Sequence, residues 1–226
     1  MDSANLKNEI FNLAISYGAC DVGFADVKDL NKHNIPRAVT ISVPLLKSVI
    51  EQITYKPTYD YYAHYKAVNS LIDFITLQIG IFISKNGYLA HTIAASQSIG
   101  EKYQFTSSFS HKIAATRSGM GSIGKNALFL HNTYGSLIRL GTVLTDAPFE
   151  CGIPVEVGNC NNCNICVKEC PASAIIGNEW TSASQRSDLF DPRACSEYMK
   201  SHFSGITKGN ACGICMKVCP KNRFNS

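Results

Sequence analysis

The chain has 226 residues, 45% hydrophobic and 17% charged, a balance that excludes intrinsic disorder and predicts one large globular domain, or a domain with a small appendage. Its net charge of +4, from 21 Lys+Arg against 17 Asp+Glu, is too weak to indicate nucleic acid as a partner. The amino-terminal MDSANLKNEIFNL lacks the cationic start and apolar core of a signal peptide. The longest apolar run, Leu71 to Ile83, carries Asp73 and Gln78 and is shorter than the ~20 residues of a membrane helix. These features predict a soluble, cytoplasmic protein with no membrane partner.

In chain order, Leu6, Ile10, Leu13, Ala14 and Tyr17 predict an amphipathic helix over residues 4–17, capped by Asp2 or Ser3 and stopped at Gly18. Arg37 to Val43, rich in β-branched residues and bounded by Pro36 and Pro44, reads as a strand. Tyr59 to Ser84 reads as one long helix with Val68, Leu71, Ile72, Ile75, Ile79 and Phe82 on one face, ended by Lys85-Asn86-Gly87. Tyr88 to Ala95 is expected to be a strand and residues 110–118 a helix. Ala127 to His131 and Leu137 to Thr145 are expected to be two strands joined through Asn132-Thr133-Tyr134-Gly135. At Ala147-Pro148 the texture changes to short elements hung on cysteines, among which Asp191-Pro192 is a strong helix start. The layout is α+β, with a domain over residues 1–148 and a cysteine-rich module over residues 149–226.

Nine of the ten cysteines lie between Cys151 and Cys219. That total is below the roughly 8–10% of a disulfide scaffold, and clustered thiols in a reducing compartment point to metal ligation. The run from Cys160 to Pro171, CNNCNICVKECP, has the spacing C-x2-C-x2-C-x3-C-P. This is the bacterial ferredoxin run for a [4Fe–4S] cluster, whose fourth cysteine ligates the other cluster. The run from Cys212 to Pro220, CGICMKVCP, repeats its end without the leading cysteine, and Cys195 on its own helix supplies the missing ligand. One cluster then takes Cys160, Cys163, Cys166 and Cys219, and the other takes Cys170, Cys195, Cys212 and Cys215. Zinc modules favour separated C-x2-C pairs and fit the spacing less well. Cys20 and Cys151 are left over, and Cys151 reads as a buried free thiol rather than a functional one.

Gly119 to Asn126, GMGSIGKN, matches G-x-G-x-x-G by spelling and a P-loop up to Asn126, which replaces the magnesium-binding hydroxyl. A dinucleotide fingerprint should follow a strand, yet His111 to Ser118 reads as helix. The competing readings are a tight helix-to-strand turn and a bare backbone surface lying against some other large cofactor.

HKIAATRSGMGSIGKNALFL, YGSLIRLGTVLTDAP, CNNCNICVKECPASAI and CGICMKVCP together resemble the epoxyqueuosine reductases, iron–sulfur and cobalamin oxidoreductases related to reductive dehalogenases. The resemblance runs from about Tyr55 to Asn222. It implies a nitroreductase-like α/β domain followed by a ferredoxin-like module with two [4Fe–4S] clusters. It also implies a corrinoid held base-off against Gly119, Gly121, Gly124 and Lys125, fed by a low-potential electron donor protein. Three departures stand out. The chain ends soon after Cys219, without the helical-repeat region that helps the family hold tRNA, so a short member with no specific nucleic acid partner is expected. The stretch YQFTSSFSHK, Tyr103 to Lys112, has no carboxylate where the family carries a catalytic aspartate. His64-Tyr65-Lys66 stands where Asp-Tyr-His is expected. His111 and Tyr65 are the remaining candidate general acids, against readings as a backbone-bonded histidine and a packing tyrosine. Three functions compete: an oxidoreductase acting on a small molecule, an electron carrier that reactivates a corrinoid on a partner, and a scaffold with structural clusters.

Overall fold

Leu6, Ile10 and Ala14 recur at helical spacing, and all three are fully buried along one face of α1 (Ser3–Ser16). Asp2 caps that helix by accepting from the Asn5 N–H at 2.8 Å. The computed structural model describes residues 2–30, 35–96, 99, 105–209 and 211–222. Tyr103 and Gln104, part of the stretch read for a missing carboxylate, lie outside them. The chain gathers into two compact units, each discontinuous in sequence. One comprises Met1–Pro44, Val68–Met120 and Arg139–Val155, the other Leu45–Ala67, Gly121–Ile138 and Glu156–Ser226.

The first unit is built on a four-stranded sheet in the order β1-β2-β6-β3, formed by β1 (Asp21–Asp26), β2 (Arg37–Pro44), β3 (Ala90–Ile93) and β6 (Ile138–Thr145). β1 and β2 are antiparallel with Val22 opposite Ile41, and β3 and β6 are antiparallel with Thr92 opposite Val143. β-branched residues fill the central strands, where side chains stand between layers on both faces. Most of α3 (Tyr59–Lys85) belongs to this unit. Ile72, Ile75, Ile79 and Ile83 are fully buried at three-to-four spacing, which is the stripe of a core helix. Among the described residues α3 alone is long and apolar enough to cross a membrane by length and composition, longer than the apolar run Leu71 to Ile83 suggests. The buried isoleucine stripe accounts for that hydropathy. The small Ala114 and Ala115 of α4 (His111–Arg117) are fully buried where that helix packs on β1 and β2.

In the second unit β4 (Gly121–Ile123) and β5 (Phe129–His131) form a short hairpin with Ser122 opposite Leu130. Here the structure corrects one expectation and extends another. β5 pairs with β4 and not with β6, and the glycine segment holds both the expected helix-to-strand turn, at Gly119 with φ +84°, and an unexpected strand over Gly121–Ile123. The remainder consists of short helices, α2 (Lys47–Ile50), α5 (Ile165–Lys168), α6 (Arg186–Leu189) and α8 (Ile214–Lys217), with one longer helix, α7 (Pro192–Thr207). Asp191 caps α7, accepting from the N–H groups of Arg193 and Ala194 at 2.8 and 3.0 Å. α5 and α8, the helices inside the two cysteine runs, pack against each other. Single bridges at Val157–Thr181 and Ile175–Phe190 close the loops between them.

Candidate metal centre

The first cysteine run starts in a loop and ends in a helical turn. Asn161 takes a left-handed φ of +51°, a conformation its short polar side chain tolerates, and the Cys163 N–H closes on the Cys160 carbonyl at 3.0 Å. α5 then carries Cys166, and the Ala174 N–H donates to the Cys170 sulfur at 3.4 Å. The second run repeats this design. α8 carries Cys215, and the Cys219 N–H closes on the Met216 carbonyl at 3.2 Å.

Cys160, Cys163, Cys166 and Cys219 line one cavity, together with Lys125 and Asn126. Three come from the first run and one from the end of the second. The other four also group together: Cys195 lies in the field of Cys212 and Cys170, and Cys215 in the field of all three. All eight thiols are free and half-buried. Desolvation pushes the Cys166 and Cys195 thiols up to about 11, with neighbouring sulfurs adding to the effect. Cys215 rises for the same reasons. Packing four such groups together therefore disfavours four bare thiolates. A ligand that takes up their negative charge relieves that repulsion, as iron does in a [4Fe–4S] cubane. Among the described residues no three Cys, His, Asp or Glu side chains converge on a point that would hold a single ion. The first set surrounds a space instead, and this donor set fits a polynuclear cluster better than zinc.

Lys125 and Asn126 bracket both runs. Lys125 is only 6% exposed, and its Nζ donates to the Asn161 carbonyl at 2.7 Å and to Asn164 Oδ1 at 3.0 Å. Asn126 donates from Nδ2 to the Cys215 carbonyl at 3.2 Å. Ser136, also buried, donates to the Met216 carbonyl at 3.1 Å and to Asn222 Oδ1 at 2.8 Å, anchoring the end of the second run. Glu179 accepts from the Cys160 N–H at 2.8 Å. The sequence reading missed Asn126, Ser136 and Glu179. Asn126 was visible only as the residue that spoils a P-loop, and Ser136 and Glu179 sit in no spaced pattern.

The glycine segment does not fit the role the resemblance gave it. Residues 121–127 are all buried. A side chain at Gly121 would strike the Leu130 carbonyl across the hairpin. One at Gly124 would meet Leu130 Cδ1 and Asn126 Oδ1 at 2.9 Å, and one at Gly119, where φ is +84°, would meet the Ile153 carbonyl at 2.9 Å. Close approach of the chain to itself explains these three glycines, and none of them offers the bare surface a macrocycle needs. Lys125 belongs with the cysteines instead.

The candidate acids fall in different units. In the first, His111 is held at both ring nitrogens, Nδ1 2.8 Å from Thr142 Oγ1 and Nε2 3.0 Å from the Ala94 carbonyl. The carbonyl only accepts, so Nε2 carries the proton and Thr142 donates to Nδ1. Burial holds the ring's pKa below the usual histidine value. A neutral ring engaged on both sides ties α4 to β6 and to the residue after β3, the arrangement expected of the backbone-bonded reading. In the second unit Tyr65 is half-buried, its ring 6.5 Å from that of Tyr61. The leftover thiols lie in the first unit, Cys20 against Ser42 Oγ at 3.2 Å and Cys151 against the Phe149 carbonyl at 3.7 Å.

Residues 159–222 match the family of 4Fe–4S double cluster binding domains. The epoxyqueuosine reductase of Staphylococcus aureus is 35% identical over 121 residues, covering 52% of this chain and 31% of the relative. That of Listeria monocytogenes is 33% identical over 127 residues, covering 52% and 31%. Over about half of its length the chain is similar to epoxyqueuosine reductases. It spans about a third of the length of these curated relatives. Two solved structures share its fold. A catabolic reductive dehalogenase has a TM-score of 0.79 at 21% identity over 99% of this chain and 33% of its own. An epoxyqueuosine reductase bound to a modified tRNA-Tyr stem loop has a TM-score of 0.63 at 18% identity over 98% and 66%. The chain is thus an iron–sulfur protein with a mixed α/β fold.

Proposed function

We propose that the chain is an oxidoreductase that relays single electrons from a low-potential donor protein, through two [4Fe–4S] clusters, to a corrinoid or small-molecule acceptor. The observation that carries this reading is the cavity lined by Cys160, Cys163, Cys166 and Cys219, drawn from both runs. Cys170, Cys195, Cys212 and Cys215 hold the second cluster. Such clusters supply one-electron chemistry whose potential follows charge, hydrogen bonding and exposure. The chain's own part is to fix the ligands: Lys125 holds the first loop, Asn126 and Ser136 the second.

We also propose a nitroreductase-like first domain, expected over residues 1–148, and a ferredoxin-like one over residues 149–226, within which the double-cluster match at residues 159–222 falls. The names of the relatives support an epoxyqueuosine-reductase-like activity, and we propose a cytoplasmic location. A corrinoid is supported by the relatives and not by the buried Gly121–Lys125 segment, so no residue here is assigned to one. Tyr65 remains the acid we propose, because Tyr61, one turn earlier, lies against Gly213 between two ligands of the second cluster. A partner-reactivating electron carrier is the second reading, favoured by Ile165, 43% exposed between Cys163 and Cys166, which leaves that cluster near a surface. We propose no specific nucleic acid partner, given the modest positive balance. Any tRNA association should be weak and steeply salt-dependent, and tight selective binding at physiological salt would contradict this.

The test is iron and sulfide analysis with EPR on anaerobically reconstituted protein. Eight irons and eight sulfides per chain are expected. Cys219→Ala should disturb the cluster held by the first run, and Cys170→Ala the cluster held by the second. Two zincs without sulfide would sink the reading. Adding cobalamin to the loaded protein then tests the corrinoid: a retained corrinoid with an altered spectrum supports it, and no change moves the reading to the electron carrier.

A further inference from the structure

We propose that Glu179 sets the reduction potential of the cluster held by Cys160, lowering it by placing a carboxylate on that ligand's own peptide. The proposal rests on the reading of Cys160 as a cluster ligand and deepens it.

Backbone pairing delivers Glu179 to this place. Val157 bridges Thr181, and the Gly158 N–H donates to the Trp180 carbonyl at 2.7 Å, so residues 157–160 run beside residues 179–182. Trp180, 6% exposed, anchors residues 179–182. Glu179 Oε1 accepts from the Cys160 N–H at 2.8 Å. A side chain at Gly158 would strike that same oxygen, so the glycine two residues before the first ligand keeps the space open for the carboxylate. Glu179 Oε2 is buried and, among the described residues, has no hydrogen-bond partner. An unpartnered buried carboxylate oxygen carries a desolvation cost, so stability alone is a poor reason for an acid at this position.

The electrostatics give it a use. Reducing a cluster adds one electron and no proton, so a neighbouring negative charge opposes reduction and a neighbouring positive charge assists it. Lys125 and Lys221 line the cavity as cations, and Glu179 is an anion bonded to the ligand's own peptide N–H. A backbone N–H aimed at a cluster sulfur favours the reduced state. The Cys160 N–H is directed to Glu179 instead, which removes that assistance as well. Both effects push the potential in the same direction, as suits a relay that must pass electrons to a demanding acceptor.

The experiment is a redox titration of the loaded protein followed by EPR, with iron counted in each sample. Glu179→Gln keeps the shape and an acceptor oxygen but loses the charge. It should move one of the two midpoint potentials to a more positive value, leave the other within error and retain wild-type iron. Glu179→Asp, which keeps the charge, should shift that potential less than the Gln change does. Unchanged potentials at full iron content, or a negative shift, overturn the proposal. Loss of iron from Glu179→Gln overturns it too, because the carboxylate would then be holding the loop and not tuning it. In each of these cases the underlying cluster reading stands, since it fails only if wild-type protein does not load iron and sulfide.

Discussion

Lys125 is a candidate through the family resemblance and His111 through its residue type, and their surroundings give them different work. Lys125 brings a cation to the four-cysteine cavity and uses its ammonium on Asn161 and Asn164 of the ligand loop. His111 has a carbonyl on one nitrogen and a hydroxyl on the other. Desolvation lowers its pKa, outweighing the Ala94 hydrogen bond that raises it. The sign of the consequence follows from proton linkage. A histidine whose folded pKa lies below its unfolded value binds its proton more readily when unfolded. Its contribution is therefore complete above about pH 6.5 and falls away as pH drops from there to the lowered folded value. Ring-proton NMR should show the His111 signal, identified by its loss in His111→Asn, titrating below the ordinary histidine midpoint. A midpoint at or above about 6.5 would mean that the ring is free to protonate and would restore it as a candidate acid.

At the scale of elements, α7 shows how a ligand is placed by capping. Asp191 satisfies two N–H groups of the first turn, Pro192 sits where no N–H is needed, and Cys195 follows within that turn. Asp191→Ala should destabilise the loaded protein by about 1 kcal/mol, whereas Asp191→Asn, an equal capping residue, should cost only a few tenths. Anaerobic denaturant titration checks this, and equal losses from the two changes would show that charge and not capping matters. This start was legible because Asp-Pro is a local signal. α1, α3 and α4 were legible because their apolar residues repeat at helical spacing, and the eight ligand cysteines because ferredoxin spacing is written along the chain. β1 was not legible: DVGFAD is buried at its four central positions and shows no alternation to read. β4 was hidden by glycines that suggested a turn, although Gly121 is needed by the Leu130 carbonyl across the hairpin. The wrong partner for β5 followed from that omission. Glu179 left no local trace, since the group it serves lies 19 residues away.

At the scale of the whole molecule, the two units differ in what holds them together. The first has a sheet and long helices around Leu6, Ile10, Val39, Ile41, Ile72, Ile75 and Val143, each at most 1% exposed. Apolar burial of this kind holds without a cofactor. In the second, α5, α6 and α8 are four residues each, far too short to persist as isolated helices. Their positions depend on side-chain brackets and on the cysteines. Where ligands from separate segments meet at one metal group, binding free energy is also folding free energy. Stripping iron with a chelator and a mild oxidant, thiols kept reduced, should therefore act unequally. Amide hydrogen exchange should rise by orders of magnitude across residues 157–182 and 211–222, as expected for local opening, while β2 and β6 stay protected. Lys125→Met should make the iron-loaded protein lose its first cluster faster under the same treatment, because the Asn161 carbonyl and Asn164 then lose a charged donor. If β2 and β6 lose protection together with the cysteine loops, the clusters are holding the entire chain, and the sheet core is not sufficient by itself.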